Sequence, residues 1–311
     1  MKIFDFFNIR HPGQNLPLAR NTLDIARQNV NAAKCLYQNG YYPEAVFFLQ
    51  QSVEKGIKAY GFYSGVIDEK FARKYISHQG SMFYSHAAHN YKKRFENMRD
   101  NFHLVNFVEL VSRLNIPCFS EYFQKMDYVI EKIDDLNAKK GRILNPSEYL
   151  SEFTMIDKNQ DAADSVNQIL QNRETLQPFI LQFREQSKQE KKRLLHTLKF
   201  YIYDFRARFQ LCGRFGEMVK ETTDDQVRQF FTYMYIELYS LSSLLGLAII
   251  TQGHEQASRY PDSQTNFTPL NYYSKDLQLI KDFPRLCEIT EKNLELLGRL
   301  FTEFGEGWNP S

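Results

Sequence analysis

The chain has 311 residues, 43% hydrophobic and 24% charged, with a formal net charge of +2; that is length for one large or two ordinary domains, without the global charge that draws a protein to nucleic acid. Only 14 Gly and 10 Pro leave few breakers, which favours long helices, and 26 Phe with 19 Tyr point to aromatic-rich cores. Cys35, Cys118, Cys212 and Cys287 are far apart with no CxxC, so structural thiols are expected rather than a zinc site or a disulfide framework, and MKIFDFFNIRHPGQ lacks the apolar run of a signal peptide, so the expected compartment is the cytoplasm.

The first predicted helix runs over Thr22 to Tyr37, with Leu23, Ala26, Val30, Ala33 and Tyr37 on one stripe. Gly40 suits the left-handed conformation that ends a helix, and Pro43 suits the first turn of the next. From Ala45 the apolar and small positions Ala45, Phe48, Leu49, Ser52, Gly56, Ala59 and Tyr60 recur at helical spacing. Ser52, Gly56 and Ala59 leave little side chain on one face, so another helix can approach closely there. Gln50, Gln51, Glu54, Lys55 and Lys58 fill the rest. Two helices joined by so short a turn pack antiparallel.

Beyond the hairpin the pattern stays helical: Phe102 to Val111 is an apolar run, and Tyr122, Met126, Ile130 and Ile133 make a further stripe before Asp134 and Asp135. A loop is expected around Lys139 to Pro146, followed by the polar, acidic stretch Asp157 to Asp164, and Asn172 to Phe215 reads as one or two long helices. On that last segment Arg184, Lys188, Lys191, Lys192, Lys199 and Arg206 fall within about 100° on a helical wheel. Arg184 to Arg214 holds nine Lys or Arg against three acids, a local +6 in a near-neutral protein. Such a stripe could follow a phosphate backbone, or be a solvated face that meets acidic surface.

Phe230 to Ile250 is 21 residues with one charge, Glu237, long enough to span a bilayer. Its Thr and Ser positions and the lack of a flanking basic cluster favour a buried central helix, with no membrane contact expected. Glu237 would then need a partner, because an isolated buried charge is costly. In SRYPD (Ser258 to Asp262), Pro261 and Asp262 read as a helix start, with Arg259 and Tyr260 packing the corner. If exposed, Arg259 and Tyr260 could instead bind a phosphate or nucleotide. Pro284 inside the final helical pattern predicts a break or restart.

Gly40, Tyr42, Phe48, Gln50, Gln51, Glu54, Lys55, Lys58 and Ala59 together resemble the HEPN family (higher eukaryotes and prokaryotes nucleotide-binding domain). The SHAAHN segment, Ser85 to Asn90, sits where that family often opens its third helix, and SRYPD with Tyr272 and Tyr273 resembles the lead-in to its last helix. The resemblance covers residues 17–90 and 228–305. It implies an all-α fold, a HEPN-like antiparallel four-helix bundle that is discontinuous in sequence, with residues 91–227 as an inserted helical region. It also implies homodimerisation, a role around RNA or nucleotides, and company with a nucleotidyltransferase-type partner protein in toxin–antitoxin or defence-type systems. No cofactor is implied.

Enzymes of the family are often metal-independent ribonucleases carrying an Arg, then four to six intervening residues, then a His. An imidazole can move a proton to or from the ribose 2′-hydroxyl or leaving oxygen, and a guanidinium stabilises phosphorane charge. Here the spacing occurs at Arg73 and His78, a match that chance alone would supply in a chain this long. It precedes the half of the chain where the family places the motif; in that later half His254 and Arg259 stand in reversed order. The usual nuclease motif is therefore absent, and the leading expectation is binding of RNA or nucleotide. The alternatives are a ribonuclease using His78 or His86 with Arg73 or Arg259, and an interaction scaffold without catalysis. His86 and His89 share a face, but no Asp or Glu on the next turn completes a metal site, so none is expected. There is no P-loop, GxGxxG, GxSxG or HExxH.

Overall fold

The computed structural model describes residues 15–67, 142–171, 224–262 and 267–305, with residues 89–90, 93, 128, 130–135, 177 and 181 besides. Among them are α1 (Leu16–Gln38), α2 (Tyr42–Ser64), α3 (Pro146–Gln171), α4 (Asp224–Thr251), α5 (His254–Ala257), α6 (Pro269–Tyr272), α7 (Gln278–Lys281) and α8 (Phe283–Glu303). Among the described residues the extended pairing is a single isolated bridge, Asp262 with Phe267, so the fold is all-α as expected. The chain divides into two compact units, residues 1–10, 91–125 and 162–235 in one, and residues 11–90, 126–161 and 236–311 in the other. Residues 126–161, part of the stretch read as 91–227, fall in the second of these units. The second unit holds α1, α2 and α5 to α8 whole, with the N-terminal part of α3 and the C-terminal part of α4.

The hairpin forms for the reasons its residues suggest. Asn15 caps α1 by accepting from the Leu18 amide, and Pro17 and Pro43 sit in the first turns of α1 and α2. Gly40, at φ 81°, makes the left-handed turn between them. α1 buries Leu16, Ala19, Leu23, Ala26, Val30 and Ala33, a continuous stripe of mostly small residues against α2. On α2 the Ser52 hydroxyl donates to the Ala26 carbonyl at 2.8 Å. A methyl group added at Gly56 would stand 2.8 Å from Leu294 Cδ2 and 3.4 Å from Leu244 Cδ1. The small face of α2 is therefore where α1, α4 and α8 converge. Stacked rings close the two ends of this core, Tyr37 on Phe283 at 4.9 Å and Tyr63 on Phe301 at 4.7 Å.

The apolar stretch expected over 230–250 is part of α4, and Leu241, Leu244, Leu245, Leu247 and Ala248 are fully buried. Among the described residues no helix is long and apolar enough to cross a membrane. Glu237 is fully buried, and the Tyr60 hydroxyl donates to its carboxylate. α8 restarts after α7 with Pro284 in its first turn, the break that proline predicts.

The N-terminal part of α3 is anchored by its own cap. Asn145 accepts from the amides of Ser147 and Glu148, Glu148 returns a bond to the Asn145 amide at 3.0 Å, and Arg142 forks onto the Glu148 carboxylate at 2.7 and 2.5 Å. These donors hold the Glu148 carboxyl down at about 2. α3 is tied to α8 and its cap by polar contacts: Arg285 to Asp157 at 2.6 Å, Asn293 to Gln160 at 3.2 Å, and the Tyr149 hydroxyl to Asp282 at 3.0 Å. The turn between α4 and α5 presses on the same segment, since a methyl group at Gly253 would meet the Arg142 carbonyl oxygen at 2.4 Å.

One expectation is corrected. Pro261 and Asp262 do not start a helix. Asp262 instead exchanges both backbone hydrogen bonds with Phe267, at 2.9 and 3.0 Å, and the next helix begins at Pro269. The closed bridge satisfies the Asp262 amide and carbonyl, leaving no helical bond for the residues before it to nucleate.

Candidate functional site

Along α2, away from its small face, runs a row of polar side chains joined end to end. Gln51 donates to the Gln50 amide oxygen at 2.7 Å, Gln50 donates to Glu54 at 3.2 Å, and Lys58 donates to the other Glu54 oxygen. Lys55 donates to the Gln51 amide oxygen at 2.8 Å. Gln50 and Glu54 are buried, and Lys55 and Lys58 are half-buried. Polar groups taken from water at mid-helix cost stability unless each finds a partner, and here the i to i+4 spacing supplies partners within one helix.

α5 packs against α2. Its four residues turn the chain so that Glu255 comes within electrostatic reach of Glu54, Lys55 and Lys58. Arg259 follows one turn later. Its Nε donates to the Glu255 carbonyl at 3.1 Å, and its Nη2 stands 3.9 Å from the Glu255 carboxylate. The guanidinium lies 4.8 Å from the Phe47 ring centre and 5.0 Å from that of Tyr260, the arrangement in which a cation is drawn to ring faces. Tyr260 remains 60% exposed. Two cations of α2, one guanidinium and an open aromatic ring therefore share a corner with the carboxylates of Glu54 and Glu255.

Burial shapes the protonation of the corner. It pushes the Lys55 ammonium below its ordinary value, and it raises the Glu255 carboxyl, assisted by the Glu54 charge and opposed by Arg259, Lys58 and Lys55. Beneath the turn His254 is fully buried, its Nδ1 2.8 Å from the Tyr273 hydroxyl, and burial lowers it to about 4. His254 is thus a neutral packing residue at ordinary pH.

Of the residues singled out from sequence, Arg259 and Tyr260 meet in this corner, with the polar positions of the Gly40 to Ala59 pattern. Arg73, His78 and His86 lie outside the described residues, as do Arg184, Lys188, Lys191, Lys192, Lys199 and Arg206. His89 is exposed and stands 3.5 Å from the Asp134 carboxylate. Cys35 and Cys287 are free thiols, and among the described residues no His, Cys, Asp and Glu cluster could hold a metal ion. Sequence reasoning missed Glu255 and Phe47. The i to i+4 spacing of Glu255 and Arg259 was the available signal for the first; nothing local marks Phe47 as a partner of Arg259.

A groove of about 600 Å³ lies elsewhere, between α1 and α8, and carries Arg20, Arg27 and Arg299 against Asp24, Glu295 and Glu303. Its charges balance, and Arg27 and Arg299 pair with Asp24 and Glu303 across one helical turn each. Volume favours this groove, but unbalanced charge and an open ring favour the α2–α5 corner for an anionic ligand.

Residues 19–71, which span most of α1 and all of α2, match the family model of the HEPN domain. This is the family that the Gly40 to Ala59 pattern resembles. No curated protein and no solved structure matches the chain.

Proposed function

We propose that this protein binds RNA or a nucleotide at the corner between α2 and α5. The reading is supported by the HEPN match over the hairpin that supplies Lys55 and Lys58. The observation that carries it is the Arg259 guanidinium, held against Phe47 and Tyr260 beside those lysines. Lys and Arg supply phosphate contacts, and an exposed tyrosine can stack a base, a combination that suits nucleic acid more than a purely ionic partner. The Arg184 to Arg206 stripe is proposed as a second phosphate-following surface. In this reading the protein acts in the cytoplasm as a homodimer, in a toxin–antitoxin or defence-type system with a nucleotidyltransferase-type partner.

Fluorescence anisotropy with a labelled oligouridylate tests it. Binding should weaken as salt rises, and Arg259→Ala and Tyr260→Ala should each cost about tenfold in affinity while leaving thermal unfolding in place. Binding unmoved by either substitution would sink the corner as the site. Incubation of RNA in EDTA, with a His78→Ala/His86→Ala variant alongside, separates binding from the ribonuclease alternative: cleavage by the parent protein alone would make those histidines catalytic. Intact RNA without binding would leave the interaction scaffold.

A further inference from the structure

Resting on that reading, we propose that Glu255 is a built-in counter-anion that holds the corner closed to phosphate until its carboxylate is neutralised or displaced. Glu54 is committed, with one oxygen to Gln50 and the other to Lys58. Lys58 therefore meets an incoming phosphodiester with part of its charge already offset, whereas Lys55, bonded to the Gln51 amide oxygen, and Arg259 have Glu255 between them in electrostatic terms. At 3.9 Å the Glu255 carboxylate offsets the Arg259 charge without taking its Nη2 as a hydrogen-bond donor. The guanidinium is therefore positioned by the Glu255 backbone carbonyl, through Nε, and restrained electrostatically by the Glu255 side chain. Positioning and restraint come from different atoms of one residue, and a substitution can separate them.

Glu255→Gln keeps the shape and the backbone carbonyl and removes only the charge. An anion arriving at the parent corner is repelled by a carboxylate that is only one-third exposed, where water screens it less than at an open surface. Binding must therefore take up a proton on Glu255 or push the carboxylate away. The groups facing Glu255 are Glu54, Lys55 and Lys58 from α2 and Arg259 from its own turn. Lys55, lowered by burial, also gains its proton more readily once an anion is beside it. Both groups give the same sign: affinity rises as pH falls. The neighbouring His254 is buried against Tyr273 and does not face the ligand side.

The test is anisotropy with an oligouridylate that carries only phosphodiester linkages, so the probe's own phosphate charge does not change over the range. Parent protein and Glu255→Gln are compared from about pH 8 to about pH 6, above the acid limit of the buried histidine. Glu255→Gln should bind about tenfold more tightly at the alkaline end and depend less on pH than the parent, which narrows the gap as pH falls. Arg259→Ala runs beside them. If the parent binds, Arg259→Ala weakens that binding about tenfold and Glu255→Gln binds no more tightly than the parent, the counter-anion is overturned while the corner stands. If Arg259→Ala binds like the parent, or no protein binds at any pH, both readings fall.

Discussion

On one face of α2, Ser52, Gly56 and Ala59 are fully closed off by α1, α4 and α8; on another, Lys55 and Lys58 stay half-open beside Glu255 and Arg259. The closed face is made of small side chains with no access to solvent, and its residue types follow from how near the neighbouring helices come. The open face keeps long charged side chains where apolar ones would pack more cheaply. Gln50 and Glu54, although buried, are joined to that open row. One helix therefore carries a close three-helix junction on one face and a polar cluster on another. Damage to the first should show as lost stability, and damage to the second as lost ligand.

Gly56→Val is the hardest test of the closed face. Its new atoms would collide with Leu294 and Leu244, both fully buried, and overpacking of this kind costs about 3 kcal/mol. Urea unfolding should show that loss, while whatever protein remains folded should bind the oligonucleotide as the parent does. A small loss would mean that the leucines turn aside and that the junction is looser than it looks.

His254 tests the closed side by titration. In the folded chain its ring stays neutral down to about 4, whereas its ordinary value is 6.5. Between those values the unfolded chain binds the extra proton. Stability present in full above about 6.5 is therefore lost as pH falls toward about 4, up to about 3 kcal/mol. Unfolding measured at several pH values should show this slope, and His254→Gln should flatten it. Tyr60→Phe comes next, at about 2 kcal/mol, because it removes a hydrogen bond to the buried Glu237 carboxylate. An unfolding midpoint unmoved by Tyr60→Phe would place the support of Glu237 elsewhere.

The closed face was legible in sequence because its logic is local. Ser52, Gly56 and Ala59 announce close approach, Gly40 announces the turn, and Pro284 the restart of α8. What stayed hidden depends on partners far along the chain. Glu237 plainly needed a donor, but nothing near it indicates Tyr60, 177 residues away. The acidic stretch from Asp157 gave no sign that it would meet Arg285, nor Gly253 that it would press on the Arg142 backbone. Arg259 and Tyr260 were visible as candidates, but the bridge between Asp262 and Phe267 decides how their corner is made, and a two-residue pairing of that kind leaves no periodicity to read.

Lys58 carries the smallest stability effect and the sharpest separation of the two faces. Its ammonium donates to Glu54, which keeps Gln50 as a second donor when Lys58 is lost. Lys58→Met preserves the stem that covers the helix and removes the charge, so stability should fall by about 1.5 kcal/mol, with Gln50 still donating to the buried Glu54. Binding should respond differently. The loss of one phosphate-directed cation should lower the slope of log affinity against log salt by about one, across all sequences tested alike. A normal salt slope would confine Lys58 to the internal pairing with Glu54 and narrow the ligand's contacts to Lys55 and Arg259. A large stability loss with a normal slope would go further, because the polar row would then be a second structural junction and the contrast between the two faces of α2 would disappear.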